Sequence, residues 1–280
     1  MGLNFKVFFS KRPGVNRSTP PGHDDLKWVP TTSTLIYGAT DAVLVDTQLT
    51  IEAGDALADW VAASGKNLTK IYVTHGHGDH FFGNSILLKR FPNAKVVSTP
   101  EVVSRMRTES SPDRLESFWN KLFPKQIPEH FVFAEPLQQD EIGLEGERLV
   151  VIRIGHTDCD NTTALWVPSI GLVVAGDSVY GNTHPYLGES ATKEARLAWI
   201  AALDTIAALQ PKFVIGGHSD PQNGFAPAAI NETKRYLEDF ERVAQQFTTA
   251  EEIYTHMLQL HPGRLNPGSL WGGATQAVKR

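Results

Sequence analysis

The chain predicts an α/β fold, and three observations carry the prediction. Apolar runs of strand length alternate with longer helix-like stretches in two rounds, over 34–98 and again over 148–213. Four of those runs lead into His or Asp, and open α/β sheets gather ligands at the carboxyl ends of their strands. At 280 residues, 41% hydrophobic and 20% charged, the chain can bury a large core, and one domain spanning 1–280 is expected.

In the first round, strands are expected at 34–37 and 42–46, then a helix over 51–64 that Thr50 is placed to cap and Gly65 to end. The run Ile71, Tyr72, Val73, Thr74 is the next strand, followed by a helix from about Asp79 to Arg90 and a strand at 95–98. The second round has strands at 149–154, 164–167, 172–175 and 213–215 and a helix over about 193–209; helices over about 227–247 and 250–260 follow. Between the rounds lies an interruption at about 101–140. There 101–107 and 114–123 read as short helices, the second with Phe118, Trp119, Leu122 and Phe123 on a nearly continuous apolar face, and Pro124, Pro128 and Pro136 stiffen the return. Two readings are open: a satellite cluster that packs the insertion onto the core, or a lid whose aromatic residues wall a pocket and exclude water. Trp28 could join that wall or the core.

The segment behind 71–74 is the most informative in the chain. His75, Gly76, His77, Gly78, Asp79 and His80 place four metal-ligand side chains in one hexapeptide. In extended backbone, residues two apart project to one side, so His75 and His77 can grip one ion together, which they could not do on a helix. Asp79 and His80 follow where the chain turns and can be aimed at a second ion; Gly76 and Gly78 let the loop wrap closely. A histidine tag would be terminal and uninterrupted. Three more strands end alike: 149–154 runs through Gly155 into His156, 172–175 through Gly176 into Asp177, and 213–215 through Gly216 and Gly217 into His218. Each alone would be an ordinary turn or cap residue; with the hexapeptide they can converge on one pocket.

The block Thr74 to His80 followed by Gly83, then Gly155-His156-Thr157, Gly176-Asp177-Ser178 and Gly217-His218, resembles the metallo-β-lactamase superfamily of hydrolases, in the family's order over 71–218. The resemblance implies an αββα four-layer sandwich with a dinuclear site. It would place one ion on His75, His77 and His156 and a second on Asp79, His80 and His218, with Asp177 bridging. A bridging Asp matches the glyoxalase II and lactonase branches better than antibiotic-hydrolysing branches with Cys there, and His77 disfavours the flavodiiron type, which usually has Glu. Tyr180, three residues beyond Asp177, matches a tyrosine that in the lactonase branch donates to the substrate carbonyl; the alternative is a packed loop tyrosine. His184 and Tyr186 lie in the same Pro-containing loop. Cys159 reads as a structural thiol or a neighbour of the site, and Asp158 and Asp160 as acceptors for ligand imidazoles.

The chemistry expected of such a site is hydrolysis by a hydroxide bridging two Zn2+ ions, with Mn2+ or Fe2+ fitting the same ligands, since metal charge lowers the pKa of water from about 16 to about 7. Asp79 would orient the hydroxide and carry protons, and Tyr180 would stabilise the developing oxyanion. The expected substrate is a small lactone or carboxylic ester, ahead of a thioester. A β-lactam hydrolase and a mononuclear iron persulfide dioxygenase are the alternatives; retention of Asp79, His80 and His218 argues against the second. A net charge of −5, from 26 basic and 31 acidic residues, leaves no footprint for nucleic acid. Residues 1–11 are too short and too polar for a signal peptide, no run approaches a membrane span, and a single cysteine forms no internal disulfide, so a cytoplasmic location is expected.

Overall fold

The computed structural model describes residues 2–10, 20 and 30–279, so the expected role of Trp28 lies outside the described residues. Strands β1 (Asn4–Phe9), β2 (Thr32–Tyr37), β3 (Asp41–Val45), β4 (Asn67–Tyr72), β5 (Lys95–Ser98) and β6 (Glu135–Pro136) form a sheet in that order. A second sheet runs β11 (Phe213–Ser219), β10 (Leu172–Gly181), β9 (Thr162–Val167), β8 (Glu147–Gly155), β7 (Glu141–Leu144). The first sheet is antiparallel from β1 to β3 and parallel from β3 to β6. The second is antiparallel except for the parallel pair β10 and β11.

Alternation of side chains along the strands makes the layers. Leu35, Ala42, Leu44 and Ile71 face outward onto Leu57 and Val61 of helix α1 (Ile51–Ala63). Their neighbours Ile36, Val43, Val45 and Tyr72 face inward onto Leu149, Val151, Leu165 and Val174 of the second sheet. The far face of that sheet, through Ala164, Val173 and Ala175, packs on Trp199 and Leu203 of the helix Lys193–Ala208 and on Tyr236 and Phe240 of the helix Ala228–Gln246. Helix, sheet, sheet, helix is the αββα sandwich that the resemblance implies. Each fully buried aliphatic or Phe side chain contributes about 1.5–3 kcal/mol, and the strands bury both faces.

Several expected boundaries shift for identifiable reasons. Thr50 caps α1 as expected, its side chain accepting from Ala53 N at 3.2 Å, and Gly65 follows at φ +68°. The helix expected over 79–90 is instead two pieces, α2 (Gly78–Phe81) and α3 (Asn84–Arg90). Thr47 N takes the His80 carbonyl at 2.9 Å, and a side chain on Gly83 would press within 2.0 Å of Thr47 O, so the loop after β3 is wedged into the break. Strands β10 and β11 run beyond their apolar cores to include Asp177, Tyr180 and His218, with irregular register from Val174 to Tyr180. The insertion forms α4 (Pro100–Glu109) and a helical stretch over 112–122 whose middle, Leu115–Trp119, is π-helical. Trp119 and Phe123 are buried with the outer core of the first sheet. Strand β1 and a helix at Pro267–Ala277 add to the expected elements.

Candidate metal centre

The chain turns out of β4 through Val73 and Thr74, and His77 opens α2 in extended conformation at φ −73°, ψ 146°. Four buried imidazoles then share one arrangement. His75 Nδ1 lies 3.1 Å from Thr74 Oγ1, which itself donates to Asp46 Oδ2 at 2.8 Å. His77 Nε2 donates to Glu189 Oε1 at 3.0 Å, and His80 Nδ1 to Asp46 Oδ2 at 2.8 Å. His218 Nδ1 donates to Pro30 O at 3.3 Å. Each ring is anchored through one nitrogen, which fixes its orientation and aims the other nitrogen inward, as imidazoles that bind metal are held.

The inward atoms meet carboxylates. His80 Nε2 lies 3.2 Å from Asp177 Oδ1, and His218 Nε2 lies 3.1 Å from Asp177 Oδ2 and 3.3 Å from Asp79 Oδ2. His77 Nδ1 and His75 Nε2 lie 2.8 and 3.5 Å from Asp158 Oδ2. Potential ligand atoms lie within 4.8 Å of one another in three groups: His75, His77, Asp158 and Cys159; His75, His80 and Asp177; Asp79, His80 and His218. Backbone makes room for this packing, because a Cβ on Gly217 would fall 2.0 Å from Asp177 Oδ1. His75 Nε2 is buried with no hydrogen-bond partner, and His80 Nε2, Asp158 Oδ2 and Asp177 Oδ1 are buried and meet only other members of the cluster. Such atoms are costly in a protein interior, and a divalent cation is what they fit.

Burial pulls the His75 imidazole down to about 4, with the His80 charge acting the same way. Burial also depresses His77, His80 and His218, but carboxylates prevail over it. Asp158 and Glu189 hold His77 well above its ordinary range, Asp177 and Asp46 do so for His80, and Asp177 with Asp79 raises His218 to about 9. Asp177 resists its own burial and is held well below the usual carboxylate range by His218 and His80. The carboxylates thus favour a positive charge at His77, His80 and His218, and a cation bound there would compete with protons for the same nitrogens.

Of the seven expected ligands, the structure brings six together: His75, His77, Asp79, His80, Asp177 and His218. The seventh, His156, stands at the exit of β8 beside Asp160 and Ser190. Its Nδ1 lies 2.6 Å from Asp160 Oδ1 and its Nε2 2.9 Å from Ser190 Oγ. Asp160, expected as an acceptor for a ligand imidazole, faces His156 Nδ1; Asp158, expected likewise, lies 2.8 Å from His77 Nδ1. Cys159 is fully buried beside it, and burial, ahead of the Asp158 and Glu189 charges, pushes its thiol up. Tyr180 is buried in β10 rather than a loop, and its hydroxyl donates to Asp177 Oδ2 at 2.8 Å. His184 is buried against the Tyr236 hydroxyl. Tyr186 packs edge-on to His77 at 5.8 Å. Sequence reasoning missed Asp46 and Glu189 as anchors; Asp46 ends an apolar strand as Asp177 does, a signal that was available.

A small cavity of about 40 Å³ opens onto the cluster at His77, Asp79, Asp177 and His218. Phe118 and Trp119 of the insertion line it with Tyr180 and Tyr186.

A sandwich of two sheets with buried His and Asp side chains gathered at one end of its strands defines a divalent-metal-binding class of α/β protein. The chain belongs to the metallo-β-lactamase superfamily, whose profile matches residues 26–218 and whose members are largely metal-dependent hydrolases. Among curated proteins it is similar to the hydroxyacylglutathione hydrolase of Francisella tularensis subsp. novicida (strain U112), 36% identical over 67 residues, 24% of this chain and 25% of that protein. The same enzyme of subsp. holarctica (strain LVS) is 37% identical over 62 residues, 22% and 23% of the two chains. The chain therefore matches about a quarter of the length of these relatives. Its fold is similar to that of a metallo-beta-lactamase family protein from Thermus thermophilus, with a TM-score of 0.65 at 21% identity over 97% of this chain and 91% of that one. A metallo-beta-lactamase from Pontibacter korlensis gives 0.59 at 18% identity over 85% and 99%. Among the described residues, no helix is long and apolar enough to cross a membrane.

Proposed function

We propose that the protein is a dinuclear metal-dependent hydrolase of a small ester-type bond: a lactone, a carboxylic ester or a thioester. The observation that carries this reading is Asp177, one carboxylate whose two oxygens meet His80 and His218 and which shares a ligand group with His75, so that it stands between the two halves of the cluster. Two divalent ions, zinc or alternatively Mn2+ or Fe2+, held by His75, His77 and His156 on one side and Asp79, His80 and His218 on the other with Asp177 shared, would supply an acidified water and polarise the scissile carbonyl.

The remaining roles fall to the chain. Asp79, on the cavity wall, orients the attacking water and takes its proton. Tyr180 stays protonated, because burial and then the Asp177 charge push its phenol well above the ordinary range. Its hydroxyl, turned from Asp177, donates to the carbonyl oxygen as charge develops there. Phe118, Trp119 and Tyr186 hold the apolar part of the substrate and keep bulk water out. The local likeness to hydroxyacylglutathione hydrolases supports a thioester, and Tyr180 supports a lactone or ester.

Elemental analysis is expected to find two divalent ions per chain, and a panel of lactones, esters, thioesters and β-lactams is expected to contain a substrate of the ester type. One tightly bound iron with oxygen uptake on a persulfide would replace this reading with a dioxygenase. Turnover confined to β-lactams would change the substrate class.

A further inference from the structure

The guanidinium of Arg105 stands behind His77, outside the cluster. We infer that Arg105 is a positioning residue for the first metal site: it acts through Glu189 on the His77 ring, and through Glu109 it ties that ring to the cavity wall. The inference rests on the dinuclear reading above and concerns how this chain holds one of the ligands.

Three observations carry it. His77 Nε2 and Arg105 Nη2 converge on one atom, Glu189 Oε1, at 3.0 and 2.6 Å. Rotation about the last bond of a histidine side chain is broad, so the direction of Nδ1 is set by whatever holds Nε2. Glu189 lies in the loop after β10 and is partly exposed, and a carboxylate so placed would swing toward water without a second partner. Arg105 is that partner. Next, the path of Arg105 is built into the hexapeptide. A Cβ on Gly76 would fall 2.4 Å from Arg105 Cγ and 2.6 Å from Arg105 Cβ, so the side chain crosses the loop where only glycine leaves room. Gly76 has no positive φ, and the close approach rather than the backbone angle calls for glycine there. Last, the same Nη2 lies 3.4 Å from Oε2 of the buried Glu109, one turn further along α4. The other oxygen of Glu109 accepts from Trp119 Nε1 at 2.8 Å.

A continuous path therefore runs from His77 through Glu189, Arg105 and Glu109 to Trp119, from a metal ligand to the side chain that lines the cavity. The consequence is a linkage. A cation on His77 Nδ1 fixes the ring, the ring fixes Glu189 and Arg105, and an ordered Arg105 leaves Glu109 set to receive Trp119. Coupling between two sites is reciprocal, so metal steadies the wall to the degree that the wall steadies metal. The path needs the guanidinium fork, because one nitrogen must reach two carboxylates from different elements, the loop at Glu189 and the helix end at Glu109.

Zinc binding to the full-length protein, measured by competition with a chromophoric chelator, and hydrogen exchange over 112–122 together test the inference. Arg105→Gln is expected to weaken one of two zinc ions by roughly 10–100-fold, the range that loss of an outer partner of a ligand costs, and to leave the other within about threefold. Arg105→Lys keeps the charge and is expected to recover part of the loss. Zinc is expected to slow exchange over 112–122 in the wild type and not in Arg105→Gln; an arginine with a merely structural role would leave that zinc dependence intact. Unchanged zinc affinity, or exchange that zinc slows equally in the variant, overturns the inference. Should Arg105→Gln fail to fold, Glu189→Gln decides: it keeps the shape and removes the charge that Arg105 holds, and the same two changes are expected, their absence again overturning the inference. Wild-type protein that takes up a single ion overturns the dinuclear reading instead, and the inference is then decided by whether that ion slows exchange over 112–122 through Arg105.

Discussion

Tyr180 joins the two functions a residue can have here, since its ring packs 5.8 Å from His218 while its hydroxyl donates to Asp177. Tyr180→Phe removes the donor and keeps the space. Loss of one oxyanion donor costs about 2.7–4 kcal/mol, and a cation at the same oxygen makes the loss smaller, so kcat is expected to fall by less than roughly 1000-fold with both metals retained. Unchanged kcat would leave Tyr180 as a support for Asp177 alone. Asp177→Ala is expected to abolish turnover and to lower the occupancy of at least one ion, because the carboxylate sets both the spacing and the charge; near-normal kcat with full occupancy would show that it is not shared. His184 offers a test away from the metals. Burial, then the Arg264 charge, pulls its imidazole down to about 3. The unfolded chain protonates it near its ordinary value of about 6.5, so below that pH the unfolded state gains a proton the folded state refuses. Stability is therefore complete above about 6.5 and falls by up to about 1.4 kcal/mol per unit as pH drops toward 3. Melting curves of metal-free wild type and His184→Asn are expected to converge in acid; parallel curves would refute the shift.

The insertion is organised around one buried acid. Glu109, at the end of α4, accepts from Trp119 Nε1 at 2.8 Å and from Arg114 Nε at 3.2 Å, and Arg105 approaches it at 3.4 Å. Glu109→Ala removes the shared acceptor, with an expected cost of about 1–3 kcal/mol, and frees the wall formed by Phe118 and Trp119 to move. KM is expected to rise more than kcat falls, and hydrogen exchange over 112–122 to accelerate beyond that of the sheets; exchange unchanged in that stretch would show that the wall is held by the core alone. Elements whose faces are patterned locally were legible from the sequence. The helices at Ile51–Ala63, Lys193–Ala208 and Ala250–Leu260 end within a residue of expectation, because caps and apolar periodicity lie inside each segment. The break between α2 and α3 was not legible, since its cause is the backbone of Thr47. Nor was the helix Pro267–Ala277, whose glycines argue against it and whose Leu270 and Ala274 are fixed by packing. The hexapeptide showed its chemistry in its spacing. The anchors of the imidazoles could not be read, because Glu189 reaches His77 across 112 residues and Asp46 reaches His80 across 34.

At the scale of the whole molecule, the cluster belongs to neither sheet. His75, His77, Asp79 and His80 follow the first sheet's β4, whereas Asp177 and His218 come from the second. Cations therefore bind the docked sandwich and not its separated parts, and stabilise it by mass action, about 2.7 kcal/mol per site at a hundredfold excess over Kd. A chelator is expected to lower Tm, reversibly on adding zinc; an unchanged Tm would mean that the unfolded chain holds the ions as well. The same placement has a consequence in time. The hairpins β2 to β3 and β7 to β8 close short loops, but Thr163 reaches Thr74 across 89 residues and His218 reaches Thr31 across 187. Closure entropy grows with such separations, so native strands form before the sheets meet. Zinc uptake during refolding should then lag the far-ultraviolet signal, and the metal pocket becomes a clock for the final docking step.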